Sequence, residues 1–130
     1  MAAMNLLIEH GPKQAESVLD EEHLGRMTLG DRSLEREVLE IFARQTTLSL
    51  SRLAGAEPAR AAAVAHTLKG SARGVGAWRV AQAAERLERV ASEKGDDEAL
   101  QGAIAQLEAA SVEVRAAIGA RLSRPAIAAP

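Results

Sequence analysis

Apolar residues return along this chain at steps of three and four, the spacing of a helix that turns one face toward a core. The clearest run is Leu100, Ile104, Leu107, Ser111, Val114 and Ile118, whose alternating steps of four and three read as the seam of a bundle helix. Val80, Ala83, Ala84, Leu87 and Ala91 give the inward stripe of a helix from about Trp78 to Glu93. Val38, Ile41, Phe42, Gln45 and Leu53 fall broadly on one face of another that runs to about Ala54. Between these two, Val64, Ala65, Leu68, Ala72 and Val75 share a side.

Stop and start signals separate the helices. Asp20 is an N-cap for a short helix to about Thr28, closed by Gly30. Asp31 or Ser33 can cap the next helix, and Gly55 stops it. Pro58 suits a first helical turn, Gly74 and Gly76 end that helix, and Gly95 followed by Asp96 or Asp97 gives the last stop and start. After Leu122 the chain reads SRPAIAAP, where Pro125 prevents continuation as helix. The pattern predicts an all-α fold: a short N-terminal helix capping an antiparallel four-helix bundle. Residues 1–17 form a leader, 18–123 the bundle and 124–130 a tail.

Composition narrows the picture. With one Phe, one Trp and no Tyr, the core must be built from Leu, Ile, Val and many alanines, so the helices should pack closely. A chain of 130 residues makes one domain and leaves no room for an ATP-binding kinase domain; no glycine-rich nucleotide motif is present. Cysteine is absent, which removes disulfides and thiol-ligated metals. No apolar run approaches the ~20 residues of a membrane helix, and Met1 to Ile8 lacks the features of a signal peptide, so the cytoplasm is the expected compartment. The net charge of −2, with both signs spread along the chain, argues against nucleic acid as a partner.

The chemistry concentrates in the helix that begins near Pro58. If Leu68 faces inward, His66 lies roughly 200° away and faces out. Lys69, Gly70 and Arg73 follow it at i+3, i+4 and i+7, on its own face. Glycine within a helix costs ~1 kcal/mol relative to alanine, so Gly70 suggests that something must approach this surface closely. Taken singly, each residue has an ordinary reading, as a solvated histidine, a charged face or a tight helix contact. Together they outline an imidazole flanked by cations and bare backbone. A free imidazole, with a pKa of ~6.5, is mostly neutral near pH 7 and carries one nitrogen able to attack an electrophile.

The segment HTLKGSARGVGAWRVAQAAERLE, His66 to Glu88, resembles the histidine-containing phosphotransfer (HPt) family, whose motif runs roughly H-x-L-K-G-[SA]-[SA]-x-x-[LIV]-G-[AL] and is followed by a helix ending in L-E or I-Q. The preceding LEREVLEIFARQTTLSLSRL resembles the family's helix before the motif. The resemblance implies a phosphoryl carrier without kinase activity of its own. His66 would accept a phosphoryl group from the receiver-domain aspartate of a hybrid histidine kinase and pass it to a response-regulator aspartate. Lys69 would stabilise phosphoryl charge, and Glu88 would hold the far ring nitrogen of His66. The docking surface would take in Ala62, Ala63, Thr67, Gly70, Arg73 and Gly74, with flanking residues of the preceding helix. Arg73 and Trp78 stand at positions that vary in the family and could tune partner choice; Trp78 is expected to be partly exposed. The carrier is expected to act as a monomer with no cofactor, any Mg²⁺ being held by the partner receiver. Two other readings stand beside this one: an adaptor that binds receivers without transfer, and a histidine-bearing module of a larger kinase. His10 and His23 lie outside the motif and are expected to have no chemical role.

Overall fold

Three aspartates fix where the helices begin. In a computed structural model, which describes residues 17–93 and 96–124, the side chains of Asp20, Asp31 and Asp96 accept from the N–H groups of His23, Leu34 and Ala99. They open α1 (Glu21–Met27), α2 (Arg32–Leu53) and α5 (Asp97–Leu122). Each satisfies one of the orphan amides at a helix start. Asp31 and Asp96 are thus selected over Ser33 and Asp97. Pro58 opens α3 (Pro58–Val75), and α4 (Trp78–Ser92) follows a two-residue turn.

The described residues contain five helices and no strand, so the chain is an all-α bundle with a short helix at one end. The expected leader, with His10, falls almost wholly outside the described residues, as do Gly95 and the tail beyond Arg124. Short connections make α2 to α5 antiparallel neighbours in sequence. The core is aliphatic apart from Phe42: Leu39, Phe42, Leu68, Val80, Leu87, Leu107 and Val114 are almost completely buried, interleaved with Ala61, Ala65, Ala72, Ala84 and Ala103. Every residue expected in the α5 seam is buried.

Two sequence expectations shift. Gly74 stays within α3, and Gly76 alone ends it, in the left-handed region at φ 82°. On α2 the buried arc is Glu35, Leu39, Phe42, Thr46, Ser49 and Leu53, while Ile41 is 51 % exposed. Thr46 can sit inward because its hydroxyl donates to the Phe42 carbonyl at 2.8 Å, so no polar atom is left unsatisfied there. Ile41, one residue from Phe42, is therefore turned about 100° out of the core.

The α1 end is closed by polar contacts. Asp20 N–H donates to the Gly76 carbonyl at 2.9 Å, and the Trp78 indole N–H donates to Asp20 Oδ2 at 2.9 Å. The His23 ring meets Trp78 edge-on at 5.1 Å, with its Nε2 3.2 Å from the Gly74 carbonyl oxygen. Across the same end, Arg121 of α5 forms a two-pronged pair with Glu35 of α2, at 2.7 and 2.9 Å, and also donates to Glu21 of α1. One guanidinium thereby ties three helices together.

Candidate functional site

The alternation of small and large residues along α3 fixes its orientation. Ala61, Ala65, Leu68, Ala72 and Val75 are buried, which leaves His66, Thr67 and Gly70 on the outside. The His66 side chain is 70 % exposed. Among the described residues, and apart from the neighbouring backbone of α3 itself, nothing lies within 4 Å of a Cβ built on Gly70 or on Gly74. A tight helix contact therefore does not explain Gly70: its glycine opens toward solvent.

His66, Lys69 and Glu88 come together. Glu88, near the middle of α4, reaches back to α3 and places Oε2 2.7 Å from His66 Nδ1 and Oε1 2.6 Å from Lys69 Nζ. The Lys69 ammonium donating to it holds the Glu88 carboxyl below the usual carboxylate range; partial burial works against this, and the His66 ring adds to it. An ionised carboxylate can only accept, so the proton of this contact sits on Nδ1. That tautomer leaves the lone pair on Nε2, for which the described residues provide no partner. The arrangement is an outward-facing nucleophilic nitrogen, backed by a negative charge that a half-buried lysine stabilises. Lys69 is 17 % exposed, so its ammonium is held against Glu88 and does not extend freely into solvent.

The remaining expected residues surround this centre. Ala63 and Thr67 are exposed, and Ala62 and Gly74 are half-buried. Arg73, 52 % exposed, pairs loosely with Glu85 of α4 at 3.6 Å. Trp78 is half-buried on Asp20 and His23 at the α1 end. Two features escaped the sequence. The Lys69–Glu88 contact crosses two helices, and only the i, i+3 spacing of His66 and Lys69 was visible. Ile41 and Leu48 of α2, both about half exposed, were hidden by the misplaced α2 face. Among the described residues no group of three or more His, Cys, Asp or Glu could hold a metal ion, and no helix is long and apolar enough to cross a membrane.

Comparisons with known proteins agree with the all-α fold. A crystal structure of a rice protein assigned as a histidine-containing phosphotransfer protein superposes with a TM-score of 0.71 at 18 % identity, covering 93 % of this chain and 86 % of that one. At that identity the likeness speaks for the fold. A search of curated proteins returns no match. The sequence model of the Hpt domain matches residues 32–117, from the start of α2 through most of α5, and on that match the chain belongs to the Hpt domain family.

Proposed function

We propose that this protein is a phosphoryl carrier in which His66 takes a phosphoryl group from the aspartyl phosphate of one receiver domain, that of a hybrid histidine kinase, and delivers it to the aspartate of a response regulator. The observation that carries the reading is Glu88 bridging His66 Nδ1 and Lys69 Nζ, with Nε2 turned to solvent. In the transfer, the Nε2 lone pair forms a bond to phosphorus as the aspartyl P–O bond breaks, and the carboxylate leaves with its electron pair. The ring keeps its Nδ1 proton and becomes cationic. The Glu88 carboxylate faces that charge, and Lys69 keeps Glu88 ionised.

Phosphoryl transfer proceeds through a loose, in-line transition state, so the protein's task is positioning and charge stabilisation. Lys69, one turn along α3, contributes positive field at the phosphoryl position as well as to Glu88. The acidic cluster that holds Mg²⁺ belongs to the receiver in this reading, and the site on this chain works without a cofactor. The protein acts as a monomer in the cytoplasm and has no ATP-dependent activity of its own.

The docking face consists of Ala62, Ala63, Thr67, Gly70, Arg73 and Gly74, extended by α2. Arg36 and Thr47 of α2 contact α5, through the Leu122 carbonyl and Arg115 respectively. Ile41 and Leu48 lie about 120–140° round the other way from the buried arc, on the exposed side of α2 away from those α5 contacts. Counting equal steps back from Leu53 and forward from Pro58 places Ile41 level with Gly70 and Leu48 level with Ala63. The face thus offers an apolar ridge next to a floor of small residues.

Purified protein offered to phosphorylated receiver domains should acquire an acid-labile, base-stable phosphohistidine. His66→Gln should keep its helical content and receiver binding while losing the label. Receiver binding with no label on the wild-type protein would mean an adaptor and would refute the proposal.

A further inference from the structure

At the far end of α2 from the α2–α3 loop, four arginines line one cavity of about 250 Å³. Arg32 and Arg36 come from the first turns of α2, and Arg121 and Arg124 from the end of α5. One carboxylate, Glu35, also lines it, and both its oxygens are taken by Arg121. Glu21 reaches in from α1 to Arg121 and, at 3.6 Å, to Arg124. The Asp31 carboxylate beside them caps the Leu34 amide. Arg36 donates one N–H to the Leu122 carbonyl, and Arg32 makes no hydrogen bond or close ion pair among the described residues, its charge acting on Glu35 from a distance.

Two of these arginines sit where helix physics disfavours them. Arg32 occupies the first position of α2, where the helix dipole presents positive charge. Arg32 and Arg36 are also a like-charged i, i+4 pair, an arrangement that costs helix stability. Four cations against the carboxylates of Glu35, Glu21 and Asp31 leave this end with an excess of one positive charge. An anion seated there would relieve both costs at once, and planar guanidinium forks suit phosphate oxygens.

We propose that the cavity between the α2 start and the α5 end binds a small phosphate dianion, free phosphate or a phosphomonoester, held by Arg32 and Arg36 with Arg124 closing one side. The site shares no residue with the His66 centre and does not depend on its chemistry.

The test uses the full chain and three probes at matched ionic strength: inorganic phosphate, glycerol phosphate and succinate, with sodium chloride as reference. Phosphate should raise Tm by a few degrees beyond chloride and shift the amide resonances of residues 32–36 and 121–124 in a saturable manner. Arg32→Gln/Arg36→Gln, which leaves the Glu35–Arg121 pair in place, should fold normally and lose both responses. A glycerol phosphate response equal to that of phosphate identifies monoesters as ligands, and a response to phosphate alone identifies the free ion. Saturable binding retained in the double variant, an equal response to succinate, or no effect beyond chloride would each overturn the assignment.

Discussion

His66 Nδ1 and Glu88 Oε2 stand 2.7 Å apart across the α3–α4 hairpin, and the same carboxylate accepts from Lys69 at 2.6 Å. Tautomer, ring orientation and the charge behind the ring are therefore set by one side chain on the neighbouring helix. Removing the orienting partner of a metal-bound histidine costs roughly 10- to 100-fold, and the same orienting logic applies to this ring. Glu88→Ala should slow phosphoryl acceptance by roughly that factor, and Lys69→Ala should slow it while the bundle stays folded. Stopped-flow transfer from a labelled receiver, alongside circular dichroism, measures both. Unchanged rates in Glu88→Ala would remove the carboxylate from the mechanism.

Gly70 should show opposite responses in stability and in transfer. No atom obstructs a Cβ there, so Gly70→Ala should stabilise α3 by up to ~1 kcal/mol in chemical denaturation. Gly70→Gln, projecting from the docking face, should slow transfer by bulk. If transfer rates in Gly70→Gln equal those of the wild type, the partner does not approach here.

Gly76 should behave differently from Gly70. Its φ is 82°, and a Cβ would meet Asp20 Cβ at 3.0 Å and His23 Cδ2 at 3.2 Å. Gly76→Ala should cost about 1–3 kcal/mol through the strained backbone and the displacement of α1. Urea unfolding gives the loss, and Trp78 fluorescence reports whether the Asp20 contact has opened.

The Glu35–Arg121 pair joins α2 to α5 at positions mostly shielded from water, with side chains 12 % and 20 % exposed. Removing Glu35 takes a two-pronged partner from Arg121 but leaves it the Glu21 carboxylate, so Glu35→Ala should lose about 1.5–3 kcal/mol at pH 7. Hydrogen bonding from Arg121 holds the folded Glu35 carboxyl below its ordinary value of 4.5. Its contribution is therefore fully present above about pH 4.5 and fades as the pH falls through the lower folded value. Thermal melts from pH 7 down to pH 3 should show the gap between wild type and Glu35→Ala narrowing only on the acid side. A gap that stays constant with pH would mean that the pair's ionisation contributes nothing.

How much of this was readable beforehand depended on what fills each helix face. The α5 seam was legible because Leu100, Ile104, Leu107, Val114 and Ile118 are apolar and buried together. The α2 face was not, because Glu35, Thr46 and Ser49 occupy inward positions while Ile41 and Leu48 face out. A count of apolar residues misplaces such a face; the hydroxyl of Thr46 is satisfied within its own helix, which a linear pattern cannot reveal. The exposure of His66 followed from the α3 periodicity. Its meeting with Glu88 came from the family resemblance, since 22 residues and a turn separate them. The Arg121 clasp spans 86 residues to Glu35 and had no local signature at all.

Both oxygens of Glu88 are engaged, one by the imidazole and one by the ammonium. Each oxygen already accepts one hydrogen bond, which weakens its pull on a proton of water approaching phosphorus, so in the proposed carrier the residue nearest the ring is a poor base for spontaneous hydrolysis. On the proposed function, a group loaded on this histidine would leave when a visitor arrives with its own nucleophile. The same engaged carboxylate that prepares the ring to receive its cargo also lets it wait for the right recipient.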